Sequence, residues 1–399
     1  MTIIKNAKVY QPDFLGKKDV LLVGGKIAAV EDGLSVEFSG KPDLVTEIDA
    51  SGRVLIPGLI DSHTHMMGGG GEGGYNTRTP EALLTDFTTS GITTAVGCLG
   101  TDGVTRNMVS LLAKAKGLEE EGMSTYIYTG SYRIPVVTVT GDVMKDFLVV
   151  DKVIGVGEIA ISDHRSSQPS QQEFNQLAAD ARVGGMLSGK AGIVNVHLGD
   201  GKRKMELILE AVEKTEIPIT QFLPTHINRN PELFEQGIQY AKKGGYIDFT
   251  ASSDPEFWEE QDGEVRTSKG IKRLLDEGVS ADHFTISSDA QGSMPIFNEK
   301  KEYIGIGVGK SDGIFKEIQN CVLVQKIPLE TALRAVTINP ARILKLQSKG
   351  MIAAGYDADL CLLDEKTLDI ETVLCKGRIM VQDKKPVVFG TFQQHEGEV

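Results

Sequence analysis

Two histidines stand two apart in Asp61-Ser62-His63-Thr64-His65, inside an apolar run that reads as a β-strand. Strand side chains alternate, so His63 and His65 project from one face and can chelate one ion. An H-x-H pair alone is as compatible with packing as with coordination. The remaining histidines shift that balance: His197 and His226 also close strand-like runs, and Asp289 does the same in Ile286-Ser287-Ser288-Asp289. Four imidazoles and a carboxylate at successive strand ends suit two Zn²⁺ ions about 3.5–4 Å apart that share a hydroxide nucleophile. Such a pair needs a bridging anion. Glu158, within the apolar stretch 153–161, is the candidate, because a carboxylate at such a position is costly unless ligated or paired. Its competing role is a salt bridge to Arg165. His164 lies just past the same stretch, whereas His283 precedes its strand and His395 is in the tail; the last two are assigned to structure or solvent.

These residues need a frame that brings strand ends together. Strand-like runs occur at 59–65, 93–97, 124–128, 153–161, 193–197, 222–225, 246–250 and 284–287, with helical patterns between them at 105–121, 171–187, 203–215 and 231–244. Eight β/α units predict a (β/α)8 TIM barrel, an α/β fold whose active sites sit at the C-terminal ends of the strands. The first 56 residues read as short strands, at 3–9, 19–23, 26–30, 46–48 and 53–56. After helical stretches at 314–325 and 329–344 the tail returns to strands at 358–363, 370–375, 378–381 and 386–388. The predicted organisation is therefore a barrel over 57–345 and a second small β-domain, sandwich-like, formed from both chain ends, 1–56 and 346–399.

The bulk properties exclude several partners. Forty-two Lys and Arg against 55 Asp and Glu leave a net charge of -13, which repels nucleic acid and anionic membrane surfaces. No window approaches about 18 consecutive apolar residues, so no membrane span is expected. Cys98, Cys321, Cys361 and Cys375 lack any paired spacing, and MTIIKNAKVY lacks a signal-peptide core, which together predict a soluble cytoplasmic protein. A small-molecule substrate is the expected partner.

The order H-x-H, strand-four anion, His, His, Asp resembles the amidohydrolase superfamily. More narrowly, Pro57–His65 followed by the glycine loop 68–74, Ile161-Ser162-Asp163-His164-Arg165-Ser166, Leu223–Asn230 and Ser287–Ser293 are similar to the isoaspartyl dipeptidase (β-aspartyl dipeptidase) family across essentially the whole chain. The metal motif identifies only the superfamily; the H-R-S and N-R-N segments narrow it. There is one departure. Members of that family bridge their metals with a carboxylated lysine in V-K-x-A-I-S-D-H-R, whereas here Val156 precedes Gly157-Glu158-Ile159 and the segment is one residue longer. Glutamate carries the same charge as a lysine carbamate but is shorter by roughly 3–4 Å. The extra residue, with glycine at 157, is expected to form a bulge that carries Glu158 toward the metals. Lys152 is no substitute, lying about 20 Å back along an extended strand.

The resemblance implies roles for the remaining residues. An isoaspartyl dipeptide presents an α-ammonium, two carboxylates and an amide made through the aspartyl side chain. Glu72, in Gly68-Gly69-Gly70-Gly71-Glu72-Gly73-Gly74, would bind the ammonium; no Lys-Ser/Thr pair closes that run as a phosphate loop requires. Arg165 and Arg229 would clamp carboxylates through planar forks. Tyr132 would polarise the scissile carbonyl, Thr101 and Ser293 would touch the aspartyl end, and Asp289 would serve as general base and then general acid beside a zinc-bridged hydroxide. The family also implies a homo-oligomer. Two other readings stay open: another hydrolase of the superfamily (a cyclic amidase, a deaminase or an N-acyl-amino-acid deacylase), and a metal-free scaffold.

Overall fold

The computed structural model describes residues 1–35, 45–297 and 303–394, so His395 lies outside the described residues. The N-terminal strands are β1 (Thr2–Tyr10), β2 (Phe14–Val23), β3 (Lys26–Glu31), β4 (Thr46–Asp49) and β5 (Arg53–Pro57). Eight barrel strands follow: β6 (Leu59–Thr64), β7 (Ile92–Gly97), β8 (Ser124–Thr129), β9 (Val153–Ile161), β10 (Ile193–Leu198), β11 (Phe222–Thr225), β12 (Ile247–Thr250) and β13 (Phe284–Ser287). Each lies within one residue of its expected bounds.

Strands β6 to β11 form one parallel sheet in chain order, and β12 pairs with β13 in parallel. Two seams close the ring. Ile227 N donates to Asp248 O at 3.2 Å, joining the end of β11 to β12, and His65 N donates to Ala290 O at 2.8 Å, joining the end of β6 to that of β13. Closure puts the C-terminal ends of all eight strands around one mouth, which is what the candidate ligands require.

The floor of the barrel is set by one proline. The stretch 329–344 reads as a single helix but forms two, Leu329–Arg334 and Ile338–Ile343. Pro340 has no N–H to offer the carbonyl four residues back, Val336 O. That carbonyl accepts from Ile60 N of β6 at 2.8 Å instead. The second helix and its exit, with Ile343, Leu344 and Leu346, then plug the barrel against Ile60, Val96, Ile154 and Leu223. A shift of the same kind moves the start of the helix expected at 105 to Met108, because the Asn107 side chain accepts from Ser110 N at 3.0 Å and caps the helix there.

The chain ends join in one nine-stranded sheet. Beyond the barrel come β14 (Ser293–Phe297) and β15 (Tyr303–Val308), an antiparallel hairpin not anticipated from the sequence. The tail then supplies β16 (Leu360–Asp364), β17 (Ile370–Cys375), β18 (Arg378–Gln382) and β19 (Lys385–Pro386). Strand β5 pairs antiparallel with β16, Leu55 opposite Leu362, and so links the two halves. Alternation divides the sheet's faces: Leu55, Leu360, Leu362 and Leu374 pack into the small domain's own core, while Val54, Ile56, Cys361, Leu363 and Val373 join the barrel's core. Among the described residues no helix is long and apolar enough to cross a membrane.

Candidate metal centre

His63 and His65 close β6, and Asp61 fixes what stands opposite them. Its fully buried carboxylate accepts from Ser288 Oγ, from Ser288 N at 3.2 Å and from His63 N at 3.3 Å, tying strand one to strand eight. Burial pushes this carboxyl up to about 7. Asp289 N then donates to His63 O at 3.2 Å, and Asp289 Oδ1 comes within 2.9 Å of His65 Nε2 and 3.6 Å of His63 Nε2. Asp289 and His226 both take positive φ, 54° and 63°. Such backbone costs about 1–3 kcal/mol per residue and recurs where a functional side chain must leave its strand at an unusual angle.

Glu158 reaches the centre through an irregularity in β9. Val156 pairs with Val194 of β10 but Ile159 pairs with Val196, so Gly157 and Glu158 together face the single residue Asn195. This is a bulge. Gly157 takes φ +153°, and a Cβ there would lie 2.9 Å from both the Cβ and the carbonyl oxygen of Asn195. The bulge brings Glu158 to 3.3 Å from His63 Nε2, 3.4 Å from His65 Nε2, 3.3 Å from His197 Nδ1 and 3.9 Å from His226 Nε2. The competing ion pair with Arg165 does not form; that guanidinium pairs with Asp163 and Glu72. Lys152 sits at the start of β9, held by Thr125 and Glu119.

The cluster has the electrostatics of a cation site. Glu158 Oε1 and Oε2, His63 Nε2 and Asp289 Oδ1 are buried without hydrogen-bond partners. Leaving so many polar atoms unsatisfied is untenable in a folded core unless something else fills their lone pairs. Burial would push the Glu158 carboxyl up, but His63, His197 and His226 hold it well below the carboxylate range. Burial opposes ionisation of Asp289 too, and His65 outweighs it. His226 is lowered to about 3, chiefly by burial, and is thus a neutral imidazole ready to donate its lone pair. Three of the four imidazoles are held from behind by oxygen: His63 Nδ1 by Asn195 Oδ1 at 3.1 Å, His226 Nδ1 by Thr250 Oγ1 at 2.6 Å and His197 Nε2 by Asp163 Oδ2 at 3.0 Å. Such partners fix ring orientation and tautomer.

Four of the other predicted residues line two cavities, and Tyr132 stands against His197 with Arg165 over its ring. Arg229 and Ser293 line one of about 420 Å³ together with His226, Asp289, Trp258 and Lys310. Glu72 and Thr101 line a second of about 280 Å³ and are joined by a 2.7 Å hydrogen bond from Thr101 Oγ1. The glycine loop that carries Glu72 packs tightly: a Cβ at Gly70, φ +68°, would lie 2.6 Å from Thr77 O and 2.9 Å from Ser293 Cβ. Tyr132 OH stands 3.0 Å from His197 Nδ1, with the Arg165 guanidinium 5.4 Å from its ring centre. Burial raises the Tyr132 hydroxyl well above its ordinary value, so it stays a proton donor.

Sequence reasoning passed over three residues. Asp163 accepts from Arg165 Nε at 2.9 Å and Nη2 at 2.7 Å while its Oδ2 meets His197. A carboxylate two residues before a candidate clamp was the available signal. Cys98 lies beside His63, His65 and Glu158, and its place at the end of β7 was the clue. Lys310 comes from the unanticipated hairpin region, where nothing marked it. His164 is exposed and outside the cluster, and His283 stacks on Tyr246 at 5.8 Å at the opposite end of its strand, as expected.

Known proteins agree with this frame. The model of the amidohydrolase family matches residues 54–380. A β-aspartyl dipeptidase from Fervidobacterium islandicum AW-1, solved in complex with the dipeptide β-Asp-Leu, is 48% identical, covers 99% of this chain and 100% of its own, and superposes with a TM-score of 0.88. A dihydroorotase from Lactobacillus johnsonii is 23% identical over 91% of this chain and 89% of its own. The dihydropyrimidinase of Brevibacillus agri, 18% identical over 98% of this chain and 96% of its own, shares the fold with a TM-score of 0.67.

Proposed function

The chain belongs to the amidohydrolase family, and we propose that within it this protein is a zinc-dependent dipeptidase that hydrolyses β-aspartyl (isoaspartyl) dipeptides to aspartate and an amino acid. The observation that carries this reading is the company the metal cluster keeps: Glu72, Arg165 and Arg229 supply one anion and two guanidiniums beside it, the complement of one ammonium and two carboxylates. The 48% identity to a dipeptidase bound to β-Asp-Leu supports the same substrate.

His63, His65, Glu158 and Asp289 would hold one divalent cation, and His197 and His226 a second, with Glu158 between them. Bound there, such cations supply Lewis acidity and lower the pKa of a water to near neutrality. Asp289, ionised and at the strand-eight end, takes the proton that the attacking water gives up and returns it to the departing amine. Tyr132 donates its O–H to the oxyanion that develops on the side-chain amide carbonyl, a contribution of about 3–4 kcal/mol for one preorganised donor. Arg165 is held rigid by the Asp163 fork and keeps Nη1 for substrate; Glu72, now 3.4 Å from that nitrogen, exchanges it for the substrate ammonium.

The chain's four cysteines are buried and unpaired, which fits a reducing cytoplasm; the reading includes a homo-oligomer, checked by sedimentation velocity. The test against a cyclic amidase of the same family is turnover by the zinc-loaded protein of β-Asp-Leu and of dihydrouracil. The dipeptidase reading expects hydrolysis of the first only, and ring opening of dihydrouracil with the dipeptide left intact would overturn it.

A further inference from the structure

Cys98 has no part in the reaction just described, yet it lies inside the metal cluster. It directly follows β7, is fully buried, and puts Sγ 3.9 Å from His65 Nδ1. Its thiol donates to Thr64 O at 3.4 Å. Ligand atoms of His63, His65, Cys98 and Glu158 all lie within 4.8 Å of one another, a set distinct from the one that Glu158 makes with His197 and His226. A second observation points at the same space: His63 Nε2 and both Glu158 oxygens are buried there without hydrogen-bond partners. The chain also leaves room for it, since Gly100 lets the loop after Cys98 pass where a Cβ would lie 3.0 Å from His65 Cε1 and 3.4 Å from Glu158 Oε1.

We propose that Cys98 is a thiolate ligand of the ion assigned to His63, His65, Glu158 and Asp289, adding one sulfur to two imidazoles and two carboxylates. The inference rests on the metal-centre reading above and goes beyond it. With metal–sulfur and metal–nitrogen bonds of about 2.3 and 2.0–2.1 Å, neighbouring sulfur and nitrogen donors stand roughly 3–3.5 Å apart, and Cys98 Sγ, 3.9 Å from His65 Nδ1 and grouped with the other ligand atoms within 4.8 Å, has a short distance to close. Coordination transfers the thiol proton to solvent as the sulfur–metal bond forms, and the hydrogen bond to Thr64 O is given up. Glu158 and Asp289 bring two negative charges to a site for two divalent cations, and the thiolate brings a third. A soft sulfur donor makes this position select Zn²⁺ or Co²⁺ over Mn²⁺ and Mg²⁺, which favour all-oxygen sites.

The test is optical and needs no substrate. Chelator-stripped protein is titrated with Co²⁺ and its absorption recorded. The expected spectrum combines visible ligand-field bands with an intense near-ultraviolet sulfur-to-cobalt charge-transfer band, and Cys98→Ser loses the second while keeping the first. Cys321, Cys361 and Cys375 belong to neither potential metal-holding group of the described residues, so the wild-type band reports Cys98 even if the serine variant fails to fold. Ligand-field bands without the charge-transfer band in the wild type overturn this proposal and leave the metal centre standing. No cobalt uptake at all overturns the metal-centre reading beneath it.

Discussion

Asp163 Oδ2 stands 3.0 Å from His197 Nε2. Burial would push the Asp163 carboxyl up, but Arg165 and His197 hold it well below the usual range, so it is ionised and can only accept. A proton on His197 Nε2 meets that carboxylate and leaves the Nδ1 lone pair on the side of Glu158 and the Tyr132 hydroxyl, where a cation would take it. The same carboxylate grips Arg165 through two hydrogen bonds. Asp163→Ala is expected to weaken metal binding about 10- to 100-fold, the usual cost of losing such a partner, and to raise KM as well. Competition against a fluorescent chelator and steady-state kinetics check the two effects; a variant that changes neither would show that Asp163 is only a loop contact.

On the proposed function, substrate choice falls to the guanidiniums of Arg165 and Arg229. Replacing Arg165 or Arg229 with methionine removes a charge-assisted hydrogen bond worth about 1.5–3 kcal/mol, so kcat/KM for β-Asp-Leu should fall roughly 10- to 100-fold per site. Metal content, measured by atomic emission, should stay at the wild-type level. Loss of metal in either variant would mean that the arginine supports the centre and not the substrate.

The bulge in β9 depends on a residue with no side chain. Gly157→Ala places a methyl 2.9 Å from Asn195, whose Oδ1 holds His63. Destabilisation of about 1–3 kcal/mol is expected, seen as a lower Tm, together with loss of bound metal as Glu158 retreats. An unchanged Tm with full metal would contradict the role assigned to the bulge.

The join between the chain ends and the barrel has an acid-sensitive tie. Lys349, buried, reaches Ser124 Oγ at 2.6 Å, Asp357 at 2.7 Å and Asp359 at 2.5 Å. Burial would push the Asp357 carboxyl up, but Lys26 and Lys349 hold it below its ordinary value. A lowered carboxyl stabilises the fold fully above its unfolded pKa of about 3.9 and loses that contribution as pH falls further. Lys349→Met should cost about 3–5 kcal/mol near neutrality by stranding Asp359, and should flatten the acid limb of stability. Urea unfolding from pH 3 to 7 measures both; parallel curves for the two proteins would contradict it.

Much of this was legible in the sequence because the barrel strands are apolar runs bounded by turns, and because five ligand candidates fall at strand ends. The bulge was legible as well, since one extra residue and a glycine interrupt an otherwise continuous apolar strand. What escaped depends on contacts between distant residues. The one local mark on Asp163 is the clamp candidate two residues on, and its grip on His197 spans 34 positions; the break at 335–337 comes from Val336 O meeting Ile60, 276 positions earlier in the chain. The hairpin β14–β15 lay beyond the last barrel strand, where the β/α rhythm makes no prediction.

The proposed activity turns on specificity for the side-chain amide bond of aspartate. The direct measurement is kcat/KM of the zinc-loaded protein for β-Asp-Leu and α-Asp-Leu, which share composition and differ only in which aspartyl carboxyl forms the amide. Cleavage of the β-linked peptide with little turnover of its α-linked isomer is expected, and equal rates for the two would contradict that specificity.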